Sequence, residues 1–526
     1  MSLLNRDRYR KKLQDLLAKA DDEAFIELIW AIDALQSGRE RAAGGSIRFP
    51  TEAVTSDFTS PYAAHKWELE SLIGLLLTTA KYKLRDGINR LTDCTQFAAG
   101  AKAINLLRKL EDAEAGIYLR RFDALNEMHR IGQRQFPWQR GYTNVAQFYR
   151  HAYIYAQGEC GAYFARTFGL TVDEFSLVGF AMHASFQESP WLSRQFSIEE
   201  LGIERPTVEA ALRLLSTSQK DARRDAAQLI REVNAKHGQP LPAAFQPSFL
   251  RRSPIIAFGD GGARLRAPLA QLIHFRVTAG VYYDLVAGGS NLRNEASDRF
   301  EKYTAEYVAA VMPRFEVRGS HKYWFRGNLI DSPDVLIKDK GEVAIVVECK
   351  ATKLSFGAQF SDDPFAEARA AYEEIAKGVF QLWRYFSHAR RGIIPDYVVR
   401  SDAHGVVLTL DTWLMTSAAL QQKVLASAAV LALRDNEISA QDRRSVVFCP
   451  IADFEATLVR SDEDSLLRVL SAARSDEFAG WALPSIRRET EGEALQRKPF
   501  PFQLGNVLPW WKALEERKRA SRLDHP

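Results

Sequence analysis

The sequence contains few cysteines, and their positions exclude two common kinds of stabilised fold. Only four occur in 526 residues, at Cys94, Cys160, Cys349 and Cys449, and none of them stands in the CxxC spacing that is typical of zinc sites. We therefore expect neither a disulfide framework nor a structural zinc centre. Free cysteines fit a reducing compartment such as the cytoplasm.

Long hydrophobic runs are also missing. No stretch approaches the roughly 18 residues that a membrane span requires. The first residues, MSLLNRDRYRKKLQ, become charged before any apolar region of signal-peptide length. We therefore expect a soluble, unexported, cytoplasmic protein that does not contact membranes.

Charge of one sign is scarcely in excess. The chain has 70 Lys and Arg against 66 Asp and Glu, a formal net charge of +4. Any affinity for nucleic acid must therefore come from local patches. Hydrophobic residues make up 46% of the chain, enough to bury cores. Because a single core stops growing at roughly 250–300 residues, we expect at least two domains.

The pattern of apolar residues divides the chain into four parts. Residues 1–250 show the spacing of three and four that is typical of helices, and we expect a helical domain for recognition or regulation. This domain is also where a protein partner or a second copy would bind. We predict a hairpin-helix connector at 251–289, a mixed α/β core at 290–415 and an α/β extension at 416–526.

The core segment has a distinctive order of elements. A helical pattern (SDRFEKYTAEYVAAVM) precedes strand-like runs (RFEVRG, HKYWFRGNLI, DVLIKD and EVAIVVECKAT). A second helical pattern (FAEARAAYEEIAKGVFQLWRYFSHA) and a further strand (GVVLTLDTW) follow. The order α-β-β-β-α-β predicts a central sheet with helices against it.

Ionisable residues interrupt a buried strand in this segment. Glu348 and Lys350 follow the apolar run AIVV, and the period of two puts both side chains on one face. If residues 339–341 form a three-residue loop, paired residue numbers sum to 680, and Asp334 lies opposite Val346 on that same face. A register slip of one residue would move Asp334 to the other face.

Two carboxylates and an ammonium group at one place suit phosphodiester chemistry. Mg²⁺ is held by one or two carboxylates together with water and phosphate oxygens. An oxygen-rich site without Cys or His side chains favours Mg²⁺ or Mn²⁺ over zinc. A nearby lysine can orient or activate a water molecule, or hold the phosphate.

These residues resemble the motif of the PD-(D/E)xK nuclease superfamily. Pro333-Asp334 is followed, 348 − 334 = 14 positions later, by Glu348-x-Lys350. The family's core has the order read above, with the motif on its second and third strands. Glu301 stands where the first core helix often carries an acidic ligand, and Gln381-x-x-x-Tyr385 matches the RecB-like branch. The resemblance covers about 290–415 and does not extend to 1–250.

The resemblance implies an α/β (α+β) restriction-endonuclease-like core behind a large helical N-terminal domain. It implies a metal-dependent DNA endonuclease of the restriction or phage-defence type. Asp334, Glu348 and the backbone carbonyl of Cys349 would bind Mg²⁺ or Mn²⁺, with help from Glu301. Lys350 would activate water. Gln381 and Tyr385 would position the substrate or the site itself.

Other interpretations stay open at this point. A nuclease-like fold without catalysis could bind nucleic acid or assemble with a partner, and the substrate of an active enzyme could be RNA. Glu348 and Lys350 could also be a solvated pair on an edge strand.

A second pattern concerns nucleic-acid binding by the helical part. Cations interleave with aromatic residues between 118 and 142, which suits contacts to phosphates and bases. The candidate residues are Arg120, Arg121, Arg130, Arg134 and Arg140. Amphipathic helix ends with extended arginine side chains explain the pattern equally well.

Overall fold

The computed structural model describes residues 2–82, 91–118, 124–237, 240–361, 363–412, 418–493 and 496–523. Its fold is mixed α/β, with helices dominating the first half and mixed sheets in the second, as the sequence predicts. None of the helices in these ranges combines the length and the apolar character that crossing a membrane requires. A cytoplasmic location stays a prediction.

Helices form most of the first 237 residues. The carboxylate of Asp21 caps one of them by accepting a hydrogen bond from the backbone N–H of Ala24 at 3.0 Å, as its acidic start predicts. The elements, in chain order, are α1 (Ser2–Ala18), α2 (Asp22–Leu35), α3 (Glu40–Gly44), α4 (Lys66–Thr78), α5 (Phe97–Tyr118), α6 (Ala124–Arg140), α7 (Val145–Tyr155), α8 (Gly158–Phe168), α9 (Val172–Glu188), β1 (Leu192–Ser193), α10 (Arg205–Leu215), β2 (Ser216–Ser218) and α11 (Gln219–His237).

The second half contains most of the strands. Its elements are α12 (Gln271–Val277), α13 (Val281–Val286), α14 (Ser290–Val311), β5 (Glu316–Gly319), β6 (Lys322–Phe325), β7 (Asn328–Asp331), β8 (Val335–Asp339), β9 (Glu342–Lys350), α15 (Phe356–Gln359), α16 (Pro364–Glu367), α17 (Arg369–Arg390), β10 (Val399–Thr409), α18 (Ala418–Ala432), β11 (Val446–Pro450), α19 (Ile451–Leu458), α20 (Glu463–Ala472), α21 (Leu483–Glu491) and α22 (Pro509–Leu523), and they follow the hairpin β3 (Ile255–Phe258) and β4 (Arg264–Arg266).

A small sheet crosses the predicted boundary at residue 250. The hairpin of β3 and β4 is confirmed, and these strands also pair with β2 and β1, in the order β1-β4-β3-β2. One hydrophobic cluster likewise contains Phe175 of α9 and Val347 of β9. The four-part division stays a prediction, but hydrogen bonds and apolar contacts both join the two sides of its first boundary.

The larger sheet has the order β11-β10-β9-β8-β5 in the described part of the chain. Strands β9, β10 and β11 run parallel, whereas β8 is antiparallel to both β9 and β5. Val347 belongs to the hydrophobic cluster that contains Phe300 of α14, and Val346 belongs to the cluster that contains Val379 of α17. The sheet therefore lies between two helices, and the carboxyl ends of its parallel strands share one edge.

The run HKYWFRGNLI does not form a single strand. Arg326 and Gly327 both adopt positive φ, at 50° and 76°, which is the backbone of a tight hairpin turn. The turn splits the run into β6 and β7, which pair with each other in a separate sheet. This hairpin is inserted between β5 and β8 and leads into residue 334.

Candidate active site

The turn that sets the register of the β8–β9 hairpin differs from the predicted one. Asp339 pairs with Glu342, so Lys340 and Gly341 form a two-residue turn, and the predicted three-residue loop is wrong. A bulge at Ala344 then shifts the register, and Val335 pairs with Val347. Turn and bulge together restore an even sum of paired numbers, 335 + 347 = 682. Continuing this register puts position 334 opposite position 348.

Backbone and side-chain hydrogen bonds hold the segment before Asp334. The hydroxyl of Ser332 accepts a hydrogen bond from the N–H of His321 at 2.9 Å and donates one to the carbonyl of Pro333 at 3.0 Å. Asp334 Oδ2 in turn accepts a hydrogen bond from the N–H of Cys349 at 2.6 Å. Because the N–H and C=O of one strand residue point to the same side, the carbonyl of Cys349 is directed toward this edge as well.

Glu348 and Lys350 form an ion pair against α17. Lys350 Nζ lies 2.7 Å from Glu348 Oε1, and the Glu348 side chain is only 1% exposed. The second oxygen, Oε2, is buried and has no hydrogen-bond partner. Burial and the nearby charge of Asp334 raise the pKa of Glu348 to about 8, against the opposing effect of Lys350. This carboxylate is therefore poorly compensated.

Lys350 is positively charged in this environment. Burial alone would lower the pKa of its ammonium group, but Glu348 and Asp334 outweigh that effect and raise it. The side chain is therefore suited to attract a phosphate or a hydroxide. It is not suited to accept a proton while the ion pair with Glu348 persists.

A glycine on α17 makes room for this pair. A Cβ atom at Gly378 would lie 2.8 Å from Lys350 Cε and 3.0 Å from Glu348 Cγ. Both distances are shorter than ordinary van der Waals contact. Gly378 thus lets the helix approach the strand at the point where the ion pair forms.

Glu301 of α14 belongs to the same electrostatic environment. Its pKa is raised to about 8 by burial and by the charges of Asp334, Asp298 and Glu348. The pKa of Asp334 is also raised, by burial first, although Lys350 and the N–H of Cys349 oppose the shift. Three carboxyl groups therefore repel one another here, and a bound cation would relieve that repulsion.

The residues of the QxxxY pattern lie on α17 with different surroundings. Gln381 is half-buried. Tyr385 is fully buried, its hydroxyl has no hydrogen-bond partner, and its ring packs edge-on against Tyr323 with centroids 6.4 Å apart. Arg384, between them, is close enough to stabilise the negative charge of Glu348. Substrate positioning by Gln381 and Tyr385 stays a prediction.

The predicted arginine patch is partly outside the described residues, where Arg120 and Arg121 lie. Arg130 is fully buried, with its guanidinium 4.8 Å from the ring centroid of Phe245. Arg134 is buried and paired with Glu111 at 2.7 Å. Arg140 is exposed but forms an ion pair with Asp453 at 2.8 Å. Nucleic-acid binding by this segment stays a prediction, and the packing role fits Arg130 and Arg134 better.

The donor set fits a divalent ion of the Mg²⁺ type. Asp334, Glu348 with its unpartnered oxygen, and the carbonyl of Cys349 offer hard oxygen ligands, and Mg²⁺ needs only one or two carboxylates from the protein. Within the described ranges, no group of three or more His, Cys, Asp or Glu residues is arranged to hold a metal ion. Direct ligation by Glu301 stays a prediction.

Two residues at the site, and one on an exposed hairpin, were not among the sequence predictions. Gly378 and Arg384 carry no local signal, since their importance comes from how closely α17 approaches β9. Trp324, on the β6–β7 hairpin, could have been noticed in the sequence, because it is a large apolar residue beside a polar turn. It is 68% exposed, and its cross-strand neighbour Leu329 is 49% exposed.

Comparison with known proteins gave no match of any kind. No family model matches the chain, and no curated protein and no solved structure shows a significant similarity to it. Interpretation of the site therefore rests on its own chemistry.

Proposed function

We propose that the protein is a divalent-metal-dependent nuclease whose active site lies at the end of β8 and β9. The observation that carries the proposal is the poorly compensated cluster of Asp334, Glu348 and Glu301 beside Lys350. Perturbed carboxyl pKa values around a buried, unpartnered oxygen are typical of functional sites. The resemblance to PD-(D/E)xK nucleases supports the same reaction.

Asp334, Glu348 and the carbonyl of Cys349 would hold the ion, Mg²⁺ or Mn²⁺. When bound, such an ion stabilises negative charge on a phosphoryl group and makes water more acidic. Asp334 is oriented for this role by the N–H of Cys349 and by the hydrogen bonds of the Ser332 hydroxyl to the segment before it. Burial keeps competing water away from Glu348.

Lys350 would act on the reacting phosphate. Its ammonium group is held beside Glu348, next to the proposed ligands, and stays positively charged. In that state it attracts a phosphate oxygen and stabilises a nucleophilic hydroxide, but it does not remove a proton. Glu301, with its raised pKa, is the better candidate for proton transfer near neutral pH.

The exposed β6–β7 hairpin would contact the nucleic acid. Trp324 offers a face on which a base can stack. The hairpin is anchored by a hydrogen bond between the Tyr323 hydroxyl and His388 Nδ1 at 3.0 Å, and by the ion pair of Arg326 with Glu437 at 2.8 Å. We propose DNA as the substrate, with restriction or phage defence as the biological setting.

The test is cleavage by purified full-length protein. Supercoiled plasmid, linear DNA, single-stranded DNA and RNA are incubated with Mg²⁺, with Mn²⁺ or with EDTA. We expect cleavage of DNA only with a divalent ion, and a loss of at least about a hundredfold in Glu348→Gln and Lys350→Ala, which remove charges from the reacting centre. Glu342→Gln, an exposed glutamate on the same strand, is the matched control and should cleave normally.

Four results would contradict or redirect the proposal. Cleavage in EDTA, or normal cleavage by both site variants, would contradict the mechanism. Metal-dependent cleavage of RNA alone would keep the chemistry and change the substrate. Binding of DNA without cleavage under any condition would favour a silent nuclease-like fold.

A further inference from the structure

A cavity whose lining includes several charged side chains lies outside the candidate active site. It has a volume of about 120 Å³ and forms where the segments after β9 and β10 and the end of β11 meet α6 and α7. Ligands often bind beyond the carboxyl ends of parallel strands in open sheets. The charged side chains that line it are Arg140, Arg150, Arg251, Lys353 and Asp411. The lining therefore presents four cations and one carboxylate.

The carboxylates that pair with the arginines are outside the lining. Arg150 Nη1 lies 2.5 Å from both oxygens of Glu455, and Arg251 Nε lies 2.9 Å from Glu70 Oε1. Each pairing uses only part of a guanidinium, which has five N–H donors. The cations thus stand between the cavity and their counter-charges.

Lys353 differs from the arginines in its pairing. Its side chain lies in the interior, since the residue is only 8% exposed. Its ammonium group reaches the carbonyl of Ala279 at 3.4 Å and lies 5.7 Å from the ring centroid of Tyr282. Burial lowers its pKa, Arg150 adds to that effect, and Asp411 opposes it. None of the ion pairs found among the described residues involves Lys353.

Two hydrogen-bond donors in the lining have no partner. The hydroxyl of Tyr142 and Nε of Arg150 are buried without hydrogen-bond partners. Tyr142 and Arg150 are each 4% exposed. Buried polar groups without partners are rare in folded proteins and call for an explanation. An anion that accepts hydrogen bonds from several directions would pair with both groups and explain why they are unpartnered.

We propose that this cavity binds a phosphate group, free or as the terminal phosphomonoester of a small molecule. Lys353, Arg150 and Tyr142 supply donors to a tetrahedral dianion. A cavity of about 150 Å³ holds a molecule of the size of benzene, so this one accommodates a phosphate but not an attached nucleoside. The rest of a phosphomonoester would lie at the exposed rim, at Arg140 and Gly141. An internal phosphodiester, flanked on both sides, does not fit.

Calorimetry and thermal unfolding of the full-length protein test this inference without any assay of cleavage. Inorganic phosphate and a nucleoside 5′-monophosphate are titrated separately in a phosphate-free buffer. We expect saturable binding of at least one of them, with a matching rise in the unfolding temperature. Tighter binding of the monophosphate identifies a phosphomonoester as the ligand, and binding of inorganic phosphate alone identifies the free ion.

Variants locate the binding. Lys353→Met should weaken it at least about tenfold, and Tyr142→Phe about threefold to tenfold, because each removes a donor. Tyr155→Phe is the matched control: Tyr155 is also fully buried with an unpartnered hydroxyl, but it lines a different cavity. If circular dichroism shows that Lys353→Met is unfolded, Tyr142→Phe decides the question.

The contradicting results are equally clear. Absence of saturable binding by either probe would mean that the cavity holds only water. Unchanged binding in folded Lys353→Met and Tyr142→Phe, or equal weakening in Tyr155→Phe, would place the anion elsewhere. Each of these outcomes overturns the inference and leaves the proposed nuclease function untouched.

Discussion

Two buried glutamates in this protein have opposite electrostatic surroundings. Glu70 of α4 is 4% exposed and accepts hydrogen bonds from Arg251 and from the indole N–H of Trp138, at 2.9 and 2.8 Å. Burial would raise its pKa, but Arg251 and these hydrogen bonds outweigh burial and lower it. Glu348 is equally buried, yet its pKa is raised to about 8 and one of its oxygens has no partner.

The difference distinguishes a buried charge that the fold compensates from one that it compensates incompletely. At Glu70 every part of the carboxylate is compensated, so the pair holds α4 against the segment after residue 250. At Glu348 the compensation is incomplete, and the fold retains a carboxylate that it does not satisfy. Such a group is expected where a ligand or an ion completes the site.

The largest effect is expected from removing residues 1–250. The fragment would lose the pairing of β3 with β2, and it would expose apolar residues such as Phe258 and Leu272 that share a cluster with α2. We therefore expect an insoluble fragment when residues 251–526 are expressed alone, measured by the soluble fraction after lysis. Co-expression with residues 1–250 should restore solubility. A soluble, cooperatively folding fragment would show that the two sides have independent cores.

The next effect compares the two glutamates directly. Glu70→Gln should lower the free energy of unfolding by about 3–5 kcal/mol, because it leaves Arg251 buried without its counter-charge. Glu348→Gln should change it by less than about 1 kcal/mol or stabilise the protein, because it removes a poorly compensated charge. Urea unfolding measures both. Equal destabilisation by the two substitutions would remove the distinction between them.

A smaller effect on stability, but a clear one on activity, is expected at Gly378. In Gly378→Ala the new methyl group would displace the Lys350 side chain, while the better helix propensity of alanine offsets the strain to within about 1 kcal/mol. We expect nuclease activity to fall at least about tenfold. The control is Gly74→Ala, since nothing lies within 4 Å of a Cβ at Gly74. Equal activity of the two variants would show that the close approach of α17 does not matter.

The last effect is a dependence of stability on pH. The pKa values of Glu301 and Glu348 are about 8 in the folded protein against an ordinary 4.5, so the folded state binds more protons than the unfolded state. Their contribution to stability is complete below about pH 4.5 and is lost as the pH rises to about 8. In EDTA the unfolding temperature should therefore fall between about pH 5 and 8, and less steeply in Glu348→Gln. Parallel curves for wild type and variant would contradict this.

Part of the site could be predicted because it depends on local pattern. The buried run before Glu348 and the period of two were sufficient to group Glu348 with Lys350. The proposed reason for including Asp334 was nevertheless wrong, since a two-residue turn and a bulge at Ala344 replace the expected three-residue loop. The turn moves the register by one residue and the bulge moves it by a second, so Asp334 returns to the face that carries Glu348.

Other features depend on contacts between distant segments. The sequence predicted Arg134 as a nucleic-acid contact, whereas in the fold it forms an ion pair with Glu111 on another helix. Lys353 likewise became a cavity residue only through contacts with α7 and the end of β10. Gly378 has no distinguishing neighbours in the sequence, and its role comes from the approach of α17 to the sheet. Single-sequence patterns do not carry such information.

The most direct test of the central claim is a calorimetric titration of Mn²⁺ into the full-length protein at pH 8. We expect one ion bound at the end of β8 and β9, with affinity unchanged in Glu342→Gln and reduced at least about tenfold in Glu348→Gln. Equal Mn²⁺ affinity in wild type and Glu348→Gln would contradict it, because the unsatisfied carboxylate would then have no part in binding metal.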